Sequence, residues 1–396
     1  MSLIKNSLLN TYKRLPVSFE RGEGVWLFDK NGNKYLDGLS GVAVNTLGHN
    51  HPELIKTITE QAQKLIHVSN YYHIEEQCLL AKKITLLSKL SSIFFCNSGC
   101  EANEAAIKFS RLYGHSLNID APEIIVMEKA FHGRTMATLS ATGSRKAQAG
   151  FEPLMSGFIR VPFDDLEAIE KIAAKKNKVS AILVEPIQGE GGINLPADLT
   201  SYLTGLRRIC DKNQWLLIFD EVQCGIGRTG KWFAHQHAGI LPDIMTLAKG
   251  LASGIPIGAC IVNEKIEKIM SPGKHGSTFG GNPMACSAAL TTLNVLEKDS
   301  LLNNAFLQGN NIVSILKRNV GSHEAVKSIR HMGLMIGIEL NKPCYELIEV
   351  ALNERLLINV TADNVIRLLP PLIINSIEAT MLAEHLSKII GKFIDN

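Results

Sequence analysis

The sequence lacks any apolar run long enough to cross a bilayer. A transmembrane helix needs about 18 or more consecutive apolar residues, and the best candidate, residues 250–262, is shorter and is broken by Ser253 and Pro256. The chain also lacks a block of like charges, and its formal net charge is only +3 over 396 residues. These absences predict a protein that binds neither membranes nor nucleic acids.

Cysteine is sparse, and its spacing suggests no framework. The 8 cysteines are scattered without a Cys-x-x-Cys pair, so we expect reduced, mostly buried thiols rather than disulfides. Two His-x-His pairs, at positions 49/51 and 235/237, lack further ligands at a supporting spacing, so no metal site is predicted. Polar and charged residues interrupt residues 1–15, which argues against a secretory signal and favours a cytoplasmic protein.

Short apolar runs alternate with amphipathic segments through the middle of the chain. The runs that predict buried strands are residues 93–95, 124–127, 181–184, 215–219 and 257–262. Helical periodicity lies between them, for example in residues 101–113 and 199–211. This alternation predicts an α/β fold in which helices cover both faces of a sheet.

The two ends of the chain have a different pattern. Glycines and the Asn31-Gly32 step mark turns between short strand-like pieces near the start. Residues 285–297 and 305–318 are amphipathic, and residues 333–340 have the pattern of a strand. We therefore predict a large domain over residues 57–285, with residues 1–56 as an N-terminal segment and residues 286–396 as a C-terminal small domain.

One lysine stands directly after a predicted buried strand. Lys249 lies between Leu247 and Gly250, where partial desolvation would lower the pKa of its amine and favour Schiff-base formation with an aldehyde. Asp220 ends another predicted strand and can pair with a protonated pyridine nitrogen. The two residue types together suit pyridoxal phosphate, although a Lys-Gly step can also end a helix and an Asp-Glu step can cap one.

Other polar segments follow neighbouring strands and should meet at the same sheet edge. Residues 96–104 join a strand to a helix through small residues whose N–H groups can bind a phosphate, and the spacing of Ser98 and Glu101 also fits a capping box. Phe131 can stack on a flat ring, and Arg134 can bind a carboxylate. For an isolated pair, a core aromatic beside a surface cation is the commoner reading.

Two further chemistries fit this chain less well. Glu185 and Glu190 form a carboxylate pair on a glycine-rich loop, but no aromatic sugar platform accompanies them, which disfavours glycoside hydrolysis. Residues 225–230 match the spacing G-x-G-x-x-G. No small-residue helix follows and no acidic residue lies about 20 positions on, so a dinucleotide site is disfavoured and a turn-rich loop is expected.

Seven segments occur in a fixed order along the chain. They are Leu-Gly-His-Asn-His-Pro at 47–52, Asn-Ser-Gly-Cys-Glu-Ala-Asn-Glu at 97–104, Phe-His-Gly-Arg-Thr at 131–135, Glu-Pro-Ile-Gln-Gly-Glu at 185–190, Asp-Glu-Val-Gln at 220–223, Lys-Gly at 249–250 and His-Gly-Ser-Thr-Phe-Gly-Gly-Asn-Pro at 275–283. In this order they resemble the class III, or subgroup II, pyridoxal-phosphate-dependent aminotransferases. The resemblance implies a fold type I homodimer with active sites at the subunit interface, a mainly parallel central sheet, and a small α+β domain from both chain ends.

The resemblance also implies roles for individual residues around pyridoxal phosphate. Lys249 resembles the Schiff-base lysine and Asp220 the partner of the ring nitrogen. Further cofactor contacts are implied for Ser98, Gly99, Cys100, Phe131, His132, Val222, Gln223 and, from the neighbouring subunit, Thr278. Gly99 and Cys100 would bind the phosphate through backbone N–H groups, Phe131 and Val222 would cover the two ring faces, and Gln223 would donate near the ring hydroxyl. Cys100 replaces a more usual alanine or threonine, which costs little if only its N–H binds.

Substrate contacts are implied for fewer residues. Arg134 resembles a carboxylate clamp, Arg367 resembles a second arginine that pairs with Glu190 until a 2-oxo acid arrives, and Ser277 is a further candidate. Gly41 lies near the position of a tyrosine that grips the α-amino group in ornithine aminotransferases, and glycine leaves room for an acylated amine. The chain thus looks like the acetylornithine branch, which passes the δ-amino group of N-acetylornithine to 2-oxoglutarate by a ping-pong reaction in arginine biosynthesis.

Several rival activities remain within the same family. Succinylornithine, ornithine, 4-aminobutyrate and carrier-protein-linked lysine are alternative donors, and a 1,2-aminomutase would need no 2-oxoglutarate. A non-catalytic binding protein on this fold would be expected to lack the lysine or its aspartate, and both are present.

Overall fold

The computed structural model describes residues 7–175 and 178–395. In chain order, its strands are β1 (Phe19–Glu23), β2 (Trp26–Asp29), β3 (Lys34–Asp37), β4 (Ser92–Cys96), β5 (Glu123–Met127), β6 (Phe158–Val161), β7 (Val179–Val184), β8 (Leu216–Asp220), β9 (Ile244–Leu247), β10 (Gly258–Val262), β11 (Val326–Met332), β12 (Met335–Leu340), β13 (Leu356–Leu357), β14 (Asn359–Thr361) and β15 (Val365–Leu368). Its helices are Pro52–Lys64, Glu75–Ser88, Gly99–Ser116, Met136–Ala141, Arg145–Gln148, Leu166–Ala173, Leu199–Asn213, Glu264–Glu267, Pro283–Lys298, Leu301–Val320, Leu347–Asn353 and Ser376–Ile394. The helical turn Ser40–Ala43 and two 3₁₀ turns, Ala234–His237 and Lys249–Ala252, complete the description. Within the described ranges, no helix combines the length and the hydrophobicity that a bilayer crossing requires.

A seven-stranded sheet forms the centre of the molecule, in the order β4-β10-β9-β8-β7-β5-β6. Its neighbours pair in parallel except at β10, which runs antiparallel to both β4 and β9. Every residue of β7 and β8 is buried, which explains why these strands are continuous apolar runs. The predicted α/β fold with a mainly parallel central sheet is confirmed.

Helices pack on both faces of this sheet. Because side chains alternate along a strand, Ile182 packs in one core with helix Leu199–Asn213, while Leu183 packs in another core with helix Gly99–Ser116. The predicted strand runs fall within β4, β5, β7, β8 and β10 or beside their ends. No apolar run predicted β6, because it is an edge strand that exposes Arg160.

Two smaller sheets lie outside the central one. The first has the order β1-β2-β3-β13, and the pairing of β13 with β3 is parallel, so the two ends of the chain share one sheet. The second, β11-β12-β15-β14, is antiparallel. The predicted boundaries at 56/57 and 285/286 stay a prediction, and the helix Pro283–Lys298 crosses the second of them.

The carboxyl ends of the parallel strands position the polar residues of the site. Asp220 is the last residue of β8, Glu185 follows β7, and Lys249 follows β9 after a single alanine. Helix Gly99–Ser116 begins close to the end of β4. Neighbouring parallel strands end at the same edge, so residues far apart in sequence come together there.

Candidate active site

A cavity of about 570 Å³ opens at this edge of the sheet, within the range of roughly 300–1,000 Å³ in which proteins bind small molecules. The predicted site residues that line it are Ser98, Gly99, Cys100, Phe131, His132, Arg134, Glu190, Asp220, Val222, Gln223 and Lys249. The remaining predicted site residues, Gly41, Ser277, Thr278 and Arg367, do not line it. The structure therefore brings most of the predicted site into one cavity.

Lys249 occupies a strained position at the end of β9. Its φ angle is 40°, a left-handed value that is uncommon outside glycine and that the surrounding structure must impose. Burial and then the positive charge of Arg367 lower the pKa of Lys249, while Asp220 and other nearby carboxylates oppose this shift. The neutral amine is thus more available than that of an exposed lysine, as a nucleophile or proton acceptor requires.

A network of hydrogen bonds fixes the carboxylate of Asp220. Asn103 Nδ2 donates to Asp220 Oδ2 at 2.7 Å, and His132 Nδ1 lies 2.8 Å from the same oxygen. The backbone N–H of Val222 donates to Oδ1 at 3.1 Å. Thr246 Oγ1 donates to Asn103 Oδ1 at 2.8 Å and so orients the asparagine amide. Since Asp220 is only 4% exposed, its orientation is set entirely by these neighbours.

The start of the helix at Gly99 combines a cap with free N–H groups. Ser98 Oγ accepts from the N–H of Glu101 at 3.2 Å, and Glu101 Oε2 accepts from the N–H of Asn97 at 2.8 Å. The N–H groups of Gly99 and Cys100, in the first turn, have no acceptor inside the helix. The helix dipole adds positive potential at this point. Helix capping and phosphate binding are therefore compatible here, and both readings of this segment stand.

The sides of the cavity suit a flat ring. A Cβ atom on Gly99 would lie 2.7 Å from Val222 Cγ1, so the helix start and Val222 approach closely only because residue 99 is glycine. Phe131 and the Arg134 guanidinium lie together, with Arg134 Cζ 5.6 Å from the ring centre. Gln223 Oε1 is buried and has no hydrogen-bond partner among the described residues. An unpaired polar atom on the cavity wall can bind a ligand, and the set of residues fits pyridoxal phosphate.

Glu185 joins two loops of the site. Its Oε1 accepts from the N–H of Phe131 at 2.9 Å, and its Oε2 accepts from the N–H of Gly189 at 3.0 Å. Burial, and next the negative charge of Asp220, raise the pKa of Glu185 to about 7. This carboxyl group therefore positions both Phe131 and the loop that carries Glu190, a role that the sequence did not reveal.

Glu190 lines the cavity and pairs with the buried Arg367. Arg367 Nη1 lies 3.0 Å from Glu190 Oε2. The arginine is only 2% exposed, whereas the side chain of Glu190 is 52% exposed and lines the cavity. Arg367 is thus hidden from the cavity while this ion pair is intact.

Gly41 has a conformational reason to be glycine that the sequence did not show. Residues 40–43 form a helical turn in which every φ angle is left-handed, with 64° at Gly41 and 66° at Val42. Asp37 Oδ1 accepts from the N–H of Ser40 at 2.7 Å and helps to hold this turn. Val42 of the same turn lines the cavity, whereas Gly41 does not. The predicted role of Gly41 in substrate choice stays a prediction.

Ser277 and Thr278 lie beside the cavity rather than in it. Ser277 Oγ accepts from Asn97 Nδ2 at 3.2 Å, next to the start of the helix at Gly99. Thr278 is exposed. In this chain neither residue contacts the cavity, and their predicted roles stay predictions.

Sequence reasoning missed several residues of the site. Asn103 was part of a motif without a role, yet asparagine between Ala102 and Ala105 is a weak helix former, which was an available signal that it bonds elsewhere. The role of Thr246 depends on pairing across the sheet, which has no local signal. The apolar wall of the cavity was also missed; it consists of Val42, Val44, Ile255, Pro256 and Ile257.

Comparison with known proteins places this architecture in one family. Residues 9–390 match the model of the family described as Aminotransferase class-III. The acetylornithine aminotransferase of Nitrosomonas europaea is 57% identical over 389 residues, covering 98% of each chain. The chain therefore belongs to the class III aminotransferases.

Solved structures agree with this assignment. The ornithine aminotransferase of Toxoplasma gondii superposes with a TM-score of 0.93 at 30% identity, covering 98% of this chain and 94% of that one. The acetylornithine aminotransferase of Elizabethkingia anophelis superposes with a TM-score of 0.88 at 35% identity, covering 97% and 96%. The fold is thus shared with enzymes named for acylated and for free ornithine, so the fold alone does not choose the donor.

Proposed function

We propose that this protein uses pyridoxal phosphate to transfer the δ-amino group of N-acetylornithine to 2-oxoglutarate, giving N-acetylglutamate 5-semialdehyde and glutamate. The observation that carries this proposal is the half-exposed Glu190 over a buried Arg367, in the same cavity as Lys249 and Asp220. The name of the Nitrosomonas relative, at 57% identity, supports N-acetylornithine as the donor.

The cofactor would be held by groups on every side of the cavity. Bound pyridoxal phosphate supplies an aldehyde for the amine and a ring that withdraws electrons from the substrate carbon. Asp220 would hold the ring nitrogen, and the N–H groups of Gly99 and Cys100 would hold the phosphate. Phe131 and Val222 would cover the ring faces. Each of these groups is preset by the bonds and packing described above, so binding requires little reorganisation.

Lys249 would act first as the attachment point and then as a proton carrier. Its lowered pKa leaves Nζ able to accept a proton from the substrate carbon and return it. The short 3₁₀ turn Lys249–Ala252 and the bond from Thr46 Oγ1 to the carbonyl of Gly250, at 3.0 Å, fix the backbone on which this amine moves.

Substrate carboxylates would meet two arginines in turn. Arg134, at the exposed side of the cavity, would bind the α-carboxylate of the donor bidentately. Glu190 would mask Arg367 while the donor is bound, because N-acetylornithine has no second carboxylate. A 2-oxo acid with two carboxylates would displace Glu190 and pair with Arg367, so one cavity serves two substrates of different charge.

We also propose a homodimer with active sites at the interface. The support is a cluster of exposed residues around Thr278, a predicted cofactor contact that does not line the cavity of its own chain. Asn70 Nδ2 donates to the carbonyl groups of Ser277 and Gly280, at 3.1 and 3.0 Å. These bonds join the segment around Asn70 to the segment around Thr278. The exposed apolar residues of these segments are Ile66, Tyr71, Tyr72 and Phe279. A surface of this kind is typical of a subunit interface.

The cytoplasm is the proposed location. All 8 cysteines are described and none forms a disulfide, and free thiols of this number persist in a reducing compartment.

The donor can be tested by following the absorbance of bound pyridoxal phosphate while N-acetylornithine, succinylornithine, ornithine and 4-aminobutyrate are added separately. N-acetylornithine should change the absorbance fastest, and 2-oxoglutarate should restore it. Far faster conversion by ornithine would contradict the proposed donor. Turnover without any 2-oxo acid would instead indicate an aminomutase.

A further inference from the structure

Arg367 is held from one side by Asn359, a residue of β14. In the antiparallel pairing of β14 with β15, Asn359 lies directly opposite Arg367. Asn359 Oδ1 accepts from Arg367 Nη2 at 2.7 Å and from Nε at 3.1 Å. On the other side, the strand partner of Arg367 is Gly337, which has no side chain. Of the two cross-strand partners of Arg367, only Asn359 therefore bonds its guanidinium group.

This anchor leaves a defined edge of the guanidinium for a ligand. Asn359 occupies the edge formed by Nε and Nη2, and Glu190 occupies Nη1 at 3.0 Å. A carboxylate that replaces Glu190 can use the edge formed by Nη1 and Nη2, which is the fork geometry that arginine offers to carboxylates. Asn359 thus selects which edge of Arg367 faces the cavity.

The two partners of Arg367 differ in their freedom to move. The side chain of Glu190 is 52% exposed, so it can turn into solvent at low cost. Its backbone is restrained, because its carbonyl accepts from Thr361 Oγ1 and because Arg330 Nη2 donates to the carbonyl of Gly192 at 2.6 Å. Asn359, in contrast, lies within a paired strand. When Glu190 leaves, Asn359 is the partner that remains.

We propose that Asn359 is a positioning residue that keeps Arg367 oriented for the acceptor acid, and that it acts in the 2-oxo acid half-reaction and not in the donor half-reaction. The proposal rests on the proposed function. The neutral amide is essential to it, because a carboxylate at residue 359 would satisfy Arg367 permanently and compete with the incoming acid.

The test compares Asn359→Ala and Asn359→Asp with the wild-type holoenzyme, and Asn359→Ser replaces the alanine variant if that variant does not fold. Asn341→Ala is the matched control, since Asn341 directly follows β12 of the same sheet and its side chain is exposed. Three quantities are measured: kcat/KM of each half-reaction from single-turnover assays, the Kd of glutarate by calorimetry, and the melting temperature. Glutarate carries both carboxylates of the acceptor but cannot react.

A hydrogen bond to a charged group contributes roughly 1.5–3 kcal/mol, and about 1.4 kcal/mol corresponds to a factor of ten. Asn359→Ala should therefore weaken glutarate binding and reduce kcat/KM for 2-oxoglutarate, each by about tenfold or more. The kcat/KM of the N-acetylornithine half-reaction should stay within about twofold of wild type. Asn359→Asp should weaken glutarate binding further and leave the melting temperature of the protein unchanged. Asn341→Ala should change none of the measured quantities.

Equal losses in both half-reactions, or unchanged glutarate affinity in both variants, would overturn the proposal. Its failure is distinguishable from failure of the proposed donor. If the wild-type enzyme does not convert N-acetylornithine, the donor assignment fails, whereas the glutarate measurement still tests Asn359.

Discussion

The two ends of the cavity are built in opposite ways. At the end proposed for the cofactor ring, Asp220 is 4% exposed and is held by Asn103, His132 and the backbone. At the substrate end, the carboxylate of Glu190 is 52% exposed and makes one ion pair, at 3.0 Å. The comparison shows that several hydrogen bonds fix Asp220, whereas Glu190 has one ion pair and can turn into solvent, as expected of a group proposed to serve two substrates.

The structural origin of the two ends explains this difference. Asp220 ends a fully buried strand of the central sheet, and the bonds around it link a helix, two strands and a loop. Glu190 lies on a glycine-rich loop, and Arg367 belongs to a smaller, separate sheet. The end proposed for the substrate thus combines two parts of the fold. They are joined by this ion pair and by the bonds from Thr361 Oγ1 to the carbonyl of Glu190 and from Arg330 Nη2 to the carbonyl of Gly192.

Replacement of Lys249 is expected to have the largest effect on turnover. Lys249→Ala removes both the attachment point and the proton carrier, and turnover should fall by at least about 10⁴-fold, at the upper limit of general acid–base catalysis. Steady-state assays with N-acetylornithine and 2-oxoglutarate measure this, with the exposed Lys388→Ala as control. Near-normal turnover in Lys249→Ala would refute the assignment.

The next effect is expected at Asp220. Asp220→Asn keeps the shape of the side chain but removes the charge proposed to stabilise the ring nitrogen, and loss of such a preset electrostatic group typically costs about 10²–10³-fold in rate. Because the ring is used throughout, single-turnover assays should show similar losses in both half-reactions. A loss confined to one half-reaction would contradict the proposal that the cofactor end serves both half-reactions.

Glu185 offers a thermodynamic test of the fixed end. The folded protein raises its pKa from 4.5 to about 7, so the folded state binds this proton more tightly between those values. Stability therefore decreases as pH rises through this window. At roughly 1.36 kcal/mol per pKa unit, the free energy of unfolding of the wild type should fall by about 3 kcal/mol relative to Glu185→Gln. Denaturant titrations from pH 4.5 to 7 measure the difference, and a parallel pH profile for both proteins would contradict it.

The smallest expected effect concerns substrate selection at Glu190. Glu190→Gln removes the charge that masks Arg367, so amino donors with a second carboxylate should bind better in the first half-reaction. The ratio of rates with glutamate and N-acetylornithine should shift by about tenfold toward glutamate, an effect of about 1.4 kcal/mol. Single-turnover assays measure this ratio. An unchanged ratio would show that Glu190 does not control access to Arg367.

The sequence predicted the central fold well because its signals are local. Apolar runs revealed β5, β7, β8 and β10, since burial on both faces leaves no polar positions. The edge strand β6 was not predicted, because half-exposed strands mix polar and apolar residues. Lys249 and Asp220 were found for a related reason, since polar residues stand out where an apolar strand ends.

The parts of the site that escaped prediction depend on contacts between distant segments. Asn359 and Arg367 are neighbours only through strand register, which no local pattern specifies. The interpretation of Gly41 as space for an acyl group stays a prediction, and its φ angle of 64°, which glycine adopts without strain, was not visible in the sequence. Motif reading thus found the residue types of the site, while tertiary structure was needed to separate lining residues from supporting ones.

A pair of crystal structures of the holoenzyme, with and without glutarate, tests most directly whether one end of the cavity is fixed and the other switches. The Arg367 Nη1 to Glu190 Oε2 contact of 3.0 Å should open when glutarate binds, while the Asp220 Oδ2 to His132 Nδ1 distance should stay near 2.8 Å. An intact Glu190–Arg367 pair in the glutarate complex, or rearranged bonds around Asp220, would contradict the division between a fixed and a switching end.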